Sequence, residues 1–161
     1  MHLLARKLTQ LSGLALVCLM TAAPGGCTPG EDLTPGLMGV DADGNGVRDD
    51  IDALITEKYA DTPLTRKIAE DYARSVQRFM EADTPQAAYE AANASGHMIN
   101  CIHFAIFLPK EEGDNYARTQ QLIKDIGAYT ANTRERFEKY WNSNRMVGGA
   151  SFHIETSPVC E

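Results

Sequence analysis

The chain has 161 residues, enough for one domain and little more. Its formal net charge is −7, and an acidic surface repels nucleic acid and anionic lipid head groups, so neither is an expected partner. The sequence contains no phosphate-binding glycine loop, serine-nucleophile elbow or His-Glu-x-x-His zinc motif, and so gives no positive evidence of catalysis.

The first residues have the pattern of an export signal. Arg6 and Lys7 precede an apolar stretch over residues 11–23, which is shorter than the roughly 20 residues needed to span a bilayer. A basic start, a short apolar stretch and a small-residue exit are typical of a secretory signal. We therefore predict a signal peptide over residues 1–26 and an exported protein, facing the periplasm or the cell surface.

The end of this signal, Gly25-Gly26-Cys27, resembles the lipobox of bacterial lipoproteins. The resemblance implies that Cys27 is lipidated and anchors the protein to a membrane. The family prefers Leu three places before the cysteine, where this chain has Pro24. The alternative is ordinary cleavage near Ala22-Ala23, which leaves Cys27 as a free thiol.

The other cysteines predict a disulfide. Cys18 leaves with the signal and Cys27 takes the lipid, so Cys101 and Cys160 remain as an even pair in an oxidising compartment. Their bond would hold the C-terminal tail, Met146–Glu161, to a core helix.

The exported part divides into a tether and a helical domain. Residues 27–40 are rich in Gly, Pro and Thr, which predicts a flexible tether before a domain over residues 41–161. Thr62-Pro63 and Thr84-Pro85 each predict a helix start, because threonine caps a helix and proline suits its first position. We expect an all-α fold: a bundle of four or five short helices, preceded by the loop discussed next and followed by an extended C-terminal tail. The first predicted helices cover residues 51–59 and run from Pro63 to about Glu81. A third follows Pro85, with a break at Ser95-Gly96, and residues 97–108 form a central apolar helix. After a turn at 109–113, one helix ends at Gly127 and the last begins after Asn132 or Thr133.

Residues 41–52 carry the most informative pattern, Asp-Ala-Asp-Gly-Asn-Gly-Val-Arg-Asp-Asp-Ile-Asp. This pattern resembles the EF-hand calcium loop, with Gly46 at the sixth position, where the chain turns sharply. Calcium takes six to eight oxygen ligands. The resemblance implies calcium as the cofactor and six ligands: Asp41, Asp43, Asn45, Val47 through its backbone carbonyl, Asp49 directly or through water, and Asp52.

The loop departs from sensor EF-hands in two ways. It is single, and Arg48 stands at the eighth position, which is apolar where two loops pair. It is more similar to the solitary loops of secreted bacterial proteins, including dockerin half-repeats, and this implies a structural ion rather than a switch. The alternative is an acidic turn that only caps a helix, since Asp is favourable at a helix N-terminus.

Two functional hypotheses follow. The first is a calcium-binding lipoprotein whose helical module binds a partner protein of the cell envelope, with Phe137, Tyr140 and Trp141 in the core or on the partner-facing side. The second is a small envelope hydrolase with a site near His97, His103 or Glu111-Glu112. Two weaker patterns are a zinc site at His97, Cys101 and His103, and a hydroxyl beside an imidazole in Ser151-Phe152-His153.

Overall fold

A computed structural model describes residues 30–103, residues 112–152 and Cys160. The signal peptide, the lipidation site Cys27 and most of the predicted turn at 109–113 lie outside the described residues. In the described part of the chain five α-helices and no strand form, which confirms the predicted all-α bundle. The helices are α1 (Asp49–Lys58), α2 (Pro63–Glu81), α3 (Pro85–Cys101), α4 (Glu112–Thr130) and α5 (Arg134–Met146).

Helix α2 is the centre of the bundle and contacts each of the other four helices. Its buried apolar residues recur three or four positions apart, as expected of a helix that presents one face to a core. The sequence placed the central helix at 97–108 instead. The described part of that stretch ends α3, where Cys101 and Ile102 are buried against the same core.

Three helices start at a threonine, as predicted. The side chain of each threonine accepts a hydrogen bond from the backbone N–H three residues ahead, which satisfies one of the unpaired donors of the first turn. These bonds are Thr65 N–H to Thr62 (3.0 Å), Ala87 N–H to Thr84 (3.1 Å) and Arg136 N–H to Thr133 (3.2 Å).

Two glycines predicted to interrupt or end helices do neither. Helix α3 runs unbroken through Ser95-Gly96, and the Ser95 hydroxyl bonds the Ser75 hydroxyl of α2 (2.9 Å). Helix α4 continues past Gly127 to Thr130, which is buried. Packing against neighbouring helices therefore outweighs the weak helix propensity of glycine at both positions.

Residues 30–40 are the described part of the predicted flexible tether, and they lie against the bundle. Arg136 of α5 is fully buried and donates hydrogen bonds to the backbone carbonyls of Asp32, Thr34 (3.1 Å) and Gly36 (3.0 Å). Asn132 also donates to the Asp32 carbonyl (3.2 Å). We call residues 32–40 the strap, since α5 holds them by their backbone.

The Asp32 carboxylate bonds the backbone of the strap and lies near two arginines. Its carboxylate accepts the backbone N–H groups of Thr34 (2.8 Å) and Val40 (2.7 Å) and lies 3.9 Å from Arg48 and 3.8 Å from Arg136. Burial by itself would raise the pKa of Asp32, but the hydrogen bonds and the Arg136 charge together lower it to about 2. The strap is therefore pinned by an ionised carboxylate.

The predicted extended C-terminal tail begins too early, because Met146 is the last residue of α5. Two later parts of the tail lie against α3. Cys160 forms a disulfide with Cys101, with the Cα atoms 5.6 Å apart. The Phe152 ring stacks on Tyr89 at 5.4 Å, and the Tyr89 hydroxyl donates to the Ser151 carbonyl (3.3 Å). The disulfide thus fixes the end of the chain to the core, as expected from the cysteine count.

Two glycines of the strap give a matched test of its docking. Gly39 and Gly36 both have positive φ (68° and 94°), so alanine strains the backbone at either position. Only at Gly39 would a Cβ also clash with the Arg48 side chain, whereas at Gly36 it meets nothing within 4 Å. We expect Gly39→Ala to lower the free energy of unfolding by about 2–5 kcal/mol and Gly36→Ala by about 1–2 kcal/mol.

Urea unfolding followed by circular dichroism measures both values. Equal losses for the two variants would show that the strap is not packed on Arg48.

Candidate metal centre

Residues 41–49 form a turn that hydrogen bonds close at both ends. The Asp49 N–H donates to the Val40 carbonyl (2.8 Å), and the Ala42 N–H donates to the Asp49 carboxylate (2.9 Å). Gly44 and Gly46 have φ of 69° and 81°, a left-handed conformation that glycine adopts without strain. The turn therefore depends on its glycines.

Three of the predicted ligands are brought together. One carboxylate oxygen from each of Asp41, Asp43 and Asp49 lies within 4.8 Å of the other two. Two oxygens on opposite sides of one calcium ion are about 4.6–5.2 Å apart, because each Ca–O distance is about 2.3–2.6 Å. The three side chains therefore fit around a single ion. They also repel one another, and a cation would offset this repulsion.

Asn45, the predicted ligand at the fifth position, lies beside this group. Its side-chain N–H donates to Asp43 (3.1 Å) and its backbone N–H donates to Asp41 and Asp43 (3.2 and 3.1 Å). Its amide oxygen accepts the Val47 N–H (2.7 Å) and keeps a second lone pair for an ion. Val47 is 2% exposed, so its side chain anchors this end of the loop in the core.

Asp52, the predicted ligand at the twelfth position, lies outside the three-carboxylate group. Its two carboxylate oxygens lie 3.2 and 3.4 Å from the guanidinium of Arg66 in α2. Arg66 also bonds Glu70 (2.7 Å). A calcium ion could recruit Asp52 only in competition with this ion pair.

The sequence did not predict how the loop is attached to the bundle. Arg48 is 3% exposed and forms two hydrogen bonds with Asp50, at 2.6 and 2.9 Å. It also donates to the Tyr129 carbonyl of α4 (2.6 Å), and Asp50 accepts the Asp32 N–H of the strap (2.6 Å). The charge at an expected apolar position was the only sign in the sequence that this residue has another role.

A second arginine holds the loop from the other side. Arg74 of α2 donates to the Asn45 carbonyl (2.9 Å). Its other nitrogens pair with Asp71 (2.6 Å) and Glu70 (3.2 Å). Helix α2 therefore contacts the loop through Arg74. The charge of this arginine is balanced by Asp71 and Glu70 of the same helix.

The alternative metal and catalytic patterns gain no support in the described residues. His97 Nε2 lies 3.8 Å from Cys101 Sγ, but that sulfur belongs to the disulfide. The His103 ring packs edge-on against Tyr116, with ring centroids 6.3 Å apart. His153, Glu111 and the side chain of Glu112 lie outside what the structure describes. Apart from the loop, the side chains that the structure describes (residues 30–103, 116–152 and 160) include no group of three acidic, His or Cys side chains close enough for a metal.

Comparison with known proteins gives no match: no family model, curated protein or solved structure is similar to this chain. None of the helices in the described residues is both long and apolar enough to cross a bilayer.

Proposed function

We propose that the protein is an exported lipoprotein whose loop binds one calcium ion, and that the ion stabilises a helical module of the cell envelope. The observation that carries this proposal is the group of three carboxylates, Asp41, Asp43 and Asp49, on a glycine-dependent turn. Carboxylate and amide oxygens are the ligands that calcium prefers. Helix capping does not require these three side chains to converge, because Asp41 and Asp43 precede α1 by several residues.

The position of the loop suggests what the ion would do. The loop joins the strap to α1, and its Asp49 N–H bonds the last strap residue, Val40. An ion held by Asp41, Asp43 and Asp49 would fix the start of the loop to its end. Extracellular calcium modules bind at about 10⁻⁴–10⁻³ M, so calcium outside the cell could keep such a site filled.

Calcium titration tests the proposal. With a dissociation constant near 1 mM, 10 mM calcium should add about 1.4 kcal/mol to the free energy of unfolding. Calorimetry measures the heat of calcium binding, and melting curves measure the added stability. We expect Asp41→Asn with Asp43→Asn to abolish them, while Glu57→Gln with Glu138→Gln removes two charges elsewhere and leaves them unchanged.

Two results would contradict the proposal. One is the absence of heat and of a melting shift up to about 10 mM calcium. The other is an equal loss in the loop variant and in the control variant. Either would leave the acidic residues near the start of α1 as favourable helix-terminal charges only.

The pairing of Asp52 with Arg66 gives a second test. If Asp52 joins the ion, Arg66→Gln should tighten calcium binding about 1.4- to 5-fold, because an exposed ion pair contributes about 0.2–1 kcal/mol. Lys67→Gln removes the same charge from the next residue and is the control. Equal affinities in the two variants would mean that Asp52 stays with α2 and does not bind the ion.

The membrane anchor is tested at Cys27. We expect the exported protein to carry acyl chains on this residue and to sediment with membranes, and Cys27→Ser to release it. Mass spectrometry of the N-terminal peptide and cell fractionation measure the two outcomes. A wild-type protein cleaved near Ala23, with an unmodified thiol at Cys27, would contradict lipidation.

For a partner, we propose another protein of the envelope rather than nucleic acid. The net charge of −7 disfavours nucleic acid. On α5, Phe137 and Trp141 lie one helical turn apart and are 55% and 57% exposed, whereas Tyr140 packs edge-on against Phe79. Exposed aromatic side chains are common in protein interfaces. No observation in the described residues favours the alternative hydrolase.

A further inference from the structure

A cavity of about 480 Å³ lies where α2, α3 and α5 meet, and it takes no part in the calcium proposal. Most of its wall is apolar, and its volume is within the range of about 300–1,000 Å³ that is usual for small-molecule pockets. The apolar lining includes Val76, Phe79, Ile99, Ile123 and Val147.

One polar side chain in this wall reaches the cavity with its hydroxyl. Tyr72 is 5% exposed and lines the cavity, and no hydrogen bond joins its hydroxyl to another residue in the described part of the chain. Among the described residues the buried side-chain atom without a partner belongs to Arg48, so the Tyr72 hydroxyl oxygen is accessible from the cavity. Burial, together with the neighbouring Tyr140, raises the pKa of Tyr72, so its hydroxyl keeps its proton and can donate.

The charge of the wall narrows the class of ligand. The described residues that line the cavity include tyrosine, asparagine and serine but no charged side chain. Moving a charged group out of water into such a site is costly without a counter-charge. We propose that this cavity binds an uncharged, largely apolar molecule with one hydroxyl or carbonyl oxygen, which pairs with the Tyr72 hydroxyl.

A glycine makes room for this molecule. Ala92, Gly96 and Asn100 lie four residues apart on α3 and all line the cavity. A Cβ built on Gly96 would meet no atom within 4 Å. A longer side chain at Gly96 would therefore enter open space next to the cavity without a clash, and glycine is a poor helix former that the helix itself does not require.

Fluorescence binding tests the proposal on the purified protein with its disulfide formed. The probe is N-phenyl-1-naphthylamine, which is uncharged and fluoresces in apolar surroundings. We expect saturable binding that 1-decanol displaces at least tenfold more effectively than decanoate. Equal displacement by the alcohol and the carboxylate would overturn the assignment of an uncharged ligand.

Two glycine variants locate the binding site. Gly96→Leu should fill the cavity and weaken probe binding at least tenfold without lowering the melting temperature. Gly127→Leu is the matched control, because Gly127 is also helical and open to a Cβ but is not among the lining residues, and it should bind the probe normally. Normal binding by Gly96→Leu, or equal loss in both variants, would overturn the proposal.

A third variant tests the hydroxyl. Tyr72→Phe should weaken competition by 1-decanol about 3- to 10-fold, the effect of one lost hydrogen bond. Unchanged competition by 1-decanol would show that Tyr72 does not pair with the ligand.

Discussion

The buried charges of Arg48, Asp50 and Arg136 connect the loop, the strap, α4 and α5. Arg48 and Asp50 join the loop to the strap and α4, and Arg136 joins the strap to α5. Burial and the nearby Arg48 charge both lower the pKa of Arg136, so Asp32 and Asp50 are needed to balance the two cations. Removing one member of such a group leaves an uncompensated buried charge, which typically costs 3–5 kcal/mol.

This arrangement attaches the loop to the helical bundle, in place of the second loop found in paired EF-hands. In paired EF-hands the residue at the eighth position contacts the partner loop. Here Arg48 contacts the bundle at the Tyr129 carbonyl, while Val47 enters the core next to it. The remainder of the turn is held by Arg74 at the Asn45 carbonyl. The helices of the bundle therefore contact this loop at the positions where a second loop makes contact in paired EF-hands.

The sequence predicted most of the helices because the residues that determine a helix lie within it or next to it in the chain. Thr62-Pro63 and Thr84-Pro85 mark helix starts within a few residues, and apolar spacing marks the buried faces. The strap was not predicted because α5 binds its backbone carbonyls, and a Gly/Pro-rich composition says nothing about those. The Arg66 partner of Asp52 was missed for a related reason: it lies 14 positions away, and only the packing of α1 on α2 brings it close. The cavity depends on open space beside Gly96, which no motif reports.

If Cys27 carries a lipid, as we propose, the docking of the strap limits how far the bundle can move from the membrane. A free tether over residues 27–40 could reach about 45 Å when extended. Because α5 holds the chain from Asp32 onward, only five residue steps separate Cys27 from the first fixed residue, at most about 18 Å. With a lipid on Cys27, the domain would sit close to the bilayer with its strap side toward it.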